Sequence, residues 1–401
     1  MFAANRPAGF LILADEAAAW RIAGLTQLDR LVLALNEWVR ATWPAEIVPA
    51  VIFWQPEVAA SSRWLPRHPR MTHVRLTESL KSTPLGAQVL DARLFVHRNG
   101  MANYLEATPP VCIEGVPEET TTVWSQLRER FKTETGPGLA KSPKPSWRYV
   151  ASMETIARCE EELLSRSGKS QDGIVSRFLN RPLSRRVTRF LFRFDLRPTA
   201  LSISLFILPV AAFFCLVRGD YGGIVAGAFL FQFYSILDGC DGEIARATYQ
   251  ESDRGGRIDD FLDMLGSIVF VIGLGFGLFR SQSSVYLLEG FLCAAVIAVN
   301  EWFLRRDETA VQPDSAKLTD ALYPRHRRLL AGQGRGFFSE KFLWWVIQFT
   351  KRDVAILLFL ILALLDQSPW ILHLWLTVSA ATLALSMRSS TGKTGVAESE
   401  P

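Results

Sequence analysis

The pattern of apolar and polar positions changes character part-way along the chain. Over the first 170 residues, short apolar runs alternate with amphipathic stretches. Residues 9–15 (GFLILAD) read as a buried strand, 28–42 as an amphipathic helix, and 47–54 (IVPAVIFW) as a second strand that Pro49 weakens. A third apolar stretch at 88–97 leads into a short helix from Met101, and a further helix is expected over 153–166. Between these helices, 133–146 is rich in Gly, Pro and Lys and reads as a loop. Strand-helix alternation of this kind predicts an α/β layer fold. Beyond Pro198 the apolar runs lengthen. Six segments approach the ~20 residues that cross a bilayer, at about 198–217, 221–238, 259–279, 284–303, 352–366 and 368–387, the fifth being short at its apolar core. The chain is therefore expected to be multidomain, with a cytoplasmic α/β domain over 1–170 and a basic amphipathic segment over 172–197. An all-α membrane domain of six helices over 198–388 and a disordered tail over 389–401 complete it.

Charge orients these segments. The connections 218–220, 280–283 and 367–369 are short and carry few charges. The opposite connections are long and basic: 239–258 holds Arg246, Arg254 and Arg257, and 304–351 holds nine Lys and Arg residues, from Arg305 to Lys351. The positive-inside rule places these loops, the N-terminal domain and the tail in the cytoplasm. Residues 1–13 lack a basic region followed by a long apolar stretch, so a multi-pass protein of the cytoplasmic (inner) membrane is expected. The five cysteines include no CxxC pair, which argues against a disulfide framework or a zinc site. A net charge of +4 gives no reason to expect a nucleic-acid partner.

Just before the first apolar segment, arginines stand at 177, 181, 185, 186, 189, 193 and 197, interleaved with Phe178, Leu183, Val187, Phe190, Leu191 and Phe194. That is the pattern of a basic amphipathic segment lying in the membrane interface. Two roles stay open for its arginines: attraction to anionic lipid headgroups, or contact with a substrate phosphate.

The chemistry is concentrated between 237 and 265. The run reads Asp238, two residues, Asp241-Gly242, two residues, Ala245-Arg246, eight residues, Gly255, three residues, Asp259, three residues, Asp263. Asp238 and Asp241 share one face of a helix, which Gly242 and Ala245 leave free of bulk, and Asp259 and Asp263 share a face of the next. Brought together, four carboxylates repel one another unless cations neutralise them. An all-oxygen donor set suits Mg²⁺ or Mn²⁺, and a pair of such ions clamps a diphosphate while a P–O bond is exchanged. Arg246 adds charge for phosphate oxygens, and Gly255 permits a close backbone approach. Any one of these aspartates alone would read as a helix cap or a solvated loop acid. Eight specified positions at background frequencies of roughly 5–9% each meet by chance with a probability on the order of 10⁻⁹.

This run resembles the signature of the CDP-alcohol phosphotransferase family at every position. The resemblance implies a six-helix membrane domain that transfers a phospho-alcohol group from a CDP-alcohol to an acceptor hydroxyl and releases CMP. The acceptor would be a lipid or a polyol phosphate. It implies that Asp238, Asp241 and Asp259 are metal ligands, and that Asp263 is both a ligand and the general base. Asp238, Asp241, Gly242, Ala245, Arg246 and Gly255 would bind the CDP-alcohol, with two Mg²⁺ or Mn²⁺ ions as cofactors. Arg352, Arg197 and Arg257 are candidates for phosphate or acceptor binding, although Arg352, within Lys351-Arg352-Asp353, reads equally well as a membrane-edge charge. A homodimer in contact with membrane lipids is expected.

The stretch 172–184 (DGIVSRFLNRPLS) and residues 90–96 (LDARLFV) look like a narrower group. In it a cytidylyltransferase-like domain is fused to the transferase, as in bifunctional inositol-phosphate cytidylyltransferase/di-inositol-phosphate phosphate synthases. One departure bears on activity. Nucleotidyltransferases of that type follow the first strand with a Gly-rich loop that cradles triphosphate, whereas 14–20 (ADEAAAW) has no glycine and two acids. The first domain is therefore expected to be nucleotidyltransferase-like but degenerate. A second departure is 196–202 (LRPTALS), which stands where relatives often have Thr-Pro-Asn before a Thr or Ser. From another class, a non-catalytic membrane-anchored ligand-binding protein has no need for four costly carboxylates. A transporter would carry its acids near mid-bilayer rather than at helix ends.

Overall fold

The computed structural model describes residues 7–135, 146–168, 172–309 and 351–394. They fall into two compact units. One comprises Met1–Ser167 with the short stretches Phe192–Asp195 and Arg246–Tyr249. The other comprises Gly168–Leu191, Leu196–Ala245 and Gln250–Pro401.

The first unit is built on strand β1 (Phe10–Ala14), the two-residue strands β2 (Arg21–Ile22) and β3 (Leu25–Thr26), helix α1 (Gln27–Thr42), and strands β4 (Val48–Trp54), β5 (Val74–Thr77) and β6 (Gln88–Asp91). The main sheet is parallel, in the order β5-β4-β1-β6, with Leu11 opposite Val51 and Ile12 opposite Leu90. All five residues of β1 are buried, as expected of a parallel strand covered on both faces. Pro49 is tolerated because it stands at the entrance of β4, opposite Arg75. Thr26 starts α1 by accepting a hydrogen bond from the Asp29 amide at 3.2 Å.

Two elements depart from expectation. The apolar stretch at 88–97 is not one strand: Asp91 accepts from the Arg93 amide at 2.9 Å, turning the chain out of the sheet. Strand β7 (Leu94–Val96) then leads to helix α2 (Met101–Ala107), and β7 pairs antiparallel with β8 (Trp147–Tyr149). Between α2 and β8, helix α3 (Thr121–Thr135) was not anticipated. It buries only Trp124, Phe131 and Thr135, too thin a stripe to read as periodicity. Of the expected loop at 133–146, residues 136–145 lie outside the described residues. Helix α4 (Glu154–Ser165) stands where a helix was expected.

The second unit opens with a π-helical turn, Ser176–Asn180, and continues through α5 (Arg181–Leu191), α6 (Pro198–Leu205), α7 (Ile207–Leu216), α8 (Tyr221–Ala247), α9 (Asp253–Ser281) and α10 (Val285–Thr309). After 310–350, which lie outside the described residues, come α11 (Arg352–Leu364) and α12 (Pro369–Thr394). Among the described residues, four stretches are long and apolar enough to cross a membrane: Pro198–Leu216, Tyr221–Ala247, Asp253–Ser281 and Val285–Trp302. The two remaining expected segments are shorter, 13 residues in α11 and an apolar part of α12 covering Pro369–Ala381. Helix α12 continues through Thr394, and 395–401 lie outside the described residues. The expected long loop at 239–258 is mostly helix, with only 248–252 between α8 and α9. Glu243, Ile244, Ala245 and Arg246 carry α8 onward without a proline to stop it.

The core of this unit is a column of rings. Phe231 of α8 stacks on Phe270 of α9 at 4.4 Å, and Phe359 of α11 stacks on Trp375 of α12 at 4.8 Å. The turn between α7 and α8 passes so close to α9 that Gly277 has no room for a Cβ against the Leu216 carbonyl, and Gly219 there adopts φ +75°.

In the first unit, burial, with Arg166, Arg30 and Arg148 nearby, pushes the His97 imidazole down to about 4. Unfolded, the same ring titrates near 6.5. Between those values the unfolded chain binds the extra proton, so stability is complete above about pH 6.5 and falls as the pH drops toward 4. The loss is up to about 3 kcal/mol. Amide exchange at β1 and β4 in the full chain, corrected for intrinsic rates, is expected to accelerate across that window. His97→Gln should flatten the dependence; an unchanged pH profile in the variant would rule the assignment out.

Candidate active site

Helix α8 presents Tyr234, Asp238, Asp241 and Ala245 along one face, at spacings of three and four residues. Asp259 and Asp263 lie within the first three turns of α9, whose start Ser252 caps by accepting from the Gly255 amide at 3.0 Å. The two helices bring the four aspartates into one electrostatic neighbourhood: Asp238 is acted on by the charges of Asp263, Asp259 and Asp241, and by Arg352 from the start of α11.

The carboxylates are turned toward protein partners. Asp263 forms an ion pair with Arg352 and accepts a hydrogen bond from the Tyr234 hydroxyl at 3.1 Å. The Arg352 guanidinium also lies over the Tyr234 ring, 5.9 Å from its centroid. Asp241 is buried and accepts from the Ser202 hydroxyl of α6. Ser202 and Tyr234 were not singled out from sequence. Tyr234 was legible in principle, one helical turn before Asp238, whereas the Ser202 contact depends on how α6 meets α8.

The other expected residues are placed as follows. Gly242 follows Asp241 on α8, and Arg246 lies in the last turn of that helix. Gly255 does not serve a loop passing between helices. It sits in the first turn of α9, where a Cβ would meet the Ser252 hydroxyl at 3.0 Å and the Thr199 hydroxyl of α6 at 3.5 Å. Arg197 is exposed at the N-cap of α6, and Arg257 is exposed near the start of α9. Neither is brought to the aspartates by any contact recorded among the described residues.

Among the described residues, no three His, Cys, Asp or Glu side chains converge closely enough to hold a metal ion. The chemistry of the donor set still fits a hard divalent cation: four carboxylates share one neighbourhood, and every donor is oxygen.

Residues 196–323, which contain the whole aspartate run, match the family model for CDP-alcohol phosphatidyltransferase. Over those residues the chain is similar to CDP-alcohol phosphatidyltransferases. It is also similar to proteins named bifunctional IPC transferase and DIPP synthase. The Archaeoglobus fulgidus relative is 29% identical over 240 residues, 59% of this chain and 42% of that protein. The Thermococcus kodakarensis relative is 39% identical over 119 residues, 29% of this chain and 26% of that protein. The Rubrobacter xylanophilus relative is 34% identical over 158 residues, 38% of this chain and 35% of that protein. The matched region thus spans less than half the length of each of these relatives.

The first unit has its own cluster where β1 and β6 end. The segment after β1 closes into a 3-10 turn, Glu16–Ala19, in which the Ala17 amide donates to Asp15 at 2.9 Å and the Ala18 amide to the Asp15 carbonyl at 3.0 Å. Asp15 points inward, toward Arg93 (2.7 Å) and Arg128 (2.9 Å). Asp91 meets Arg128 at 3.2 Å and accepts from the Tyr149 hydroxyl at 3.0 Å. Burial works against the charge on Arg128, but Asp91 and Asp15 hold its guanidinium above the ordinary value. Strand-end carboxylates and turn amides that could meet a nucleotide are therefore occupied internally. Arg128→Met should leave buried Asp91 without its ion partner, Asp15 keeping Arg93, and destabilise the first unit by about 3 kcal/mol. Denaturant unfolding of the full chain in detergent checks this, and a loss below about 1 kcal/mol would show that the network carries no such weight.

Proposed function

We propose that this chain is an integral membrane transferase that moves a phospho-alcohol group from a CDP-alcohol to an acceptor hydroxyl with release of CMP, in phospholipid or polyol-phosphodiester synthesis. The observation that carries the reading is the aspartate quartet on α8 and α9, inside the segment that matches the family. Two Mg²⁺ or Mn²⁺ ions held by Asp238, Asp241, Asp259 and Asp263 would supply charge stabilisation at the diphosphate. The acceptor oxygen bonds to the phosphorus that bears the alcohol, and the bond from that phosphorus to the CMP oxygen breaks. CMP leaves with the electron pair, and the acceptor proton passes to Asp263. Tyr234 and Arg352 orient that carboxylate. Gly242 and Ala245 leave the face of α8 bare for the CDP-alcohol, with Arg246 and Gly255 completing its site. Arg352, Arg197 and Arg257 are the candidates to receive phosphate.

In this reading α11 and α12 provide two further spans, giving six. The basic connections support a cytoplasmic active site and first unit in the inner membrane. Membrane lipids and a second copy of the chain are the partners that the family resemblance implies. The relatives' names favour a second reading, in which the first unit is a cytidylyltransferase that makes the CDP-alcohol itself. The occupied carboxylates and the 3-10 turn after β1 support a first unit without that activity, serving as a scaffold or ligand-binding module.

Purified protein with Mg²⁺ and a panel of CDP-alcohols and acceptors is expected to release CMP, and Asp263→Asn to lower the rate by about 10²–10⁴-fold. No turnover of any CDP-alcohol, or a variant as active as the parent, would rule out the transferase reading. In the same assay, CTP with a phospho-alcohol should yield no CDP-alcohol; its formation would favour the second reading.

A further inference from the structure

Helix α8 has a second polar stripe, opposite the aspartates. Gln232, Ser235, Gly239 and Glu243 recur every three or four residues, and the stripe is centred roughly 135° around the helix from Asp238 and Asp241. The segment from 172 to 188 lies along this stripe. The Gln232 amide donates to Asn180 at 3.2 Å, and the Asn180 amide donates to Ser235 at 3.3 Å. Glu243 is fully buried and saturated: it accepts from Arg181 at 3.2 Å, Ser184 at 2.9 Å and Thr188 at 2.7 Å. Gly239 leaves room for the Arg181 guanidinium, which a Cβ there would meet at 2.8 Å.

The same segment reaches α11. Arg181 binds both oxygens of Asp172, at 2.9 and 3.0 Å. Although burial opposes its charge, Asp172 and Glu243 hold the Arg181 guanidinium above its ordinary value. Asp353 accepts from the Ser176 amide at 2.6 Å, and Gly173 lies so close to the Asp353 carboxylate that a side chain would not fit. Asp353 adjoins Arg352, the residue paired with Asp263.

We infer that the segment 172–188 is a template for the transferase site, with Arg181 and Glu243 as positioning residues that set the rotation of α8, and hence the aim of Asp238 and Asp241, relative to the Arg352–Asp263 pair. The inference rests on the transferase reading proposed above. An apolar stripe would pack α5 against α8 without the desolvation of a buried carboxylate. What the polar stripe adds is register: rotating α8 by one residue strands Glu243 without donors, whereas apolar side chains tolerate such a slip.

Two variants test the inference. Glu243→Gln keeps the shape and weakens the charge contact. Arg181→Met with Glu243→Met, made in an Asp172→Asn background so that no carboxylate is left unpaired, replaces the pair by apolar groups of similar length, so the fold is retained without the register device. Both are expected to keep a thermal midpoint close to the parent's. For CMP release, kcat should fall about 10-fold in the first and 100-fold in the second, with KM for the CDP-alcohol changed less than about 3-fold. A folded double variant with parental kcat would overturn the inference, as would a loss of activity that only follows the loss of folded protein. Hydrogen exchange at 173–180 and in the first turn of α11 separates this from failure of the transferase reading. If the parent itself releases no CMP, faster exchange there in the double variant still supports the template, and unchanged exchange overturns it.

Discussion

Mutual repulsion among four carboxylates is the constraint on which the helical unit depends. Asp238, Asp241, Asp259 and Asp263 occupy adjoining turns of two helices that are otherwise long and apolar, and Asp238 carries the field of the other three. Water would screen such charges; the end of an apolar helix does so poorly. Local groups meet part of the cost. Ser202 donates to Asp241, Tyr234 donates to Asp263, and Arg352 supplies the nearby cation. Divalent cations and a cationic phosphate cradle are the natural complement to such a group of carboxylates.

The two ends of the chemistry are supported differently. On α8, the face toward the aspartates is kept bare by Gly242 and Ala245, while the opposite face is filled with donors that satisfy Glu243. In the first unit the corresponding economy runs the other way. Asp15 and Asp91 stand at the carboxyl ends of parallel strands, the usual place for a ligand in an open α/β sheet. Here Arg93, Arg128 and Tyr149 close over them. The strand-end acids of this sheet are therefore held by partners within the same unit.

Much of this was legible in the sequence, and the exceptions have physical reasons. Strands β1 and β4 were readable as short continuous apolar runs, and helix α1 from the amphipathic stretch that follows β1. Helix α3 was not, because it is held by two aromatic anchors rather than a continuous stripe. The aspartate run was readable because helical spacing alone puts Asp238 with Asp241 and Asp259 with Asp263. The connection between them was misread, since its charged residues suggested a loop although their propensities favour helix. Ser202 escaped notice because its role comes from tertiary contact between helices. Glu243 was hidden by its neighbours: among so many acids, nothing local distinguishes the one that faces away from the site. Of the six expected membrane-crossing helices, four are long and apolar enough among the described residues, and Arg352–Leu364 has only 13 residues.

The central claim is that the quartet is a divalent-cation site that a CDP-alcohol completes. Electron paramagnetic resonance of Mn²⁺ bound to the purified full chain, titrated with and without a CDP-alcohol, tests it most directly. Two bound ions per chain, magnetically coupled once the CDP-alcohol is present and lost in Asp238→Asn, are the predicted result. Mn²⁺ binding no stronger in the parent than in that variant, with no response to the CDP-alcohol, would contradict it.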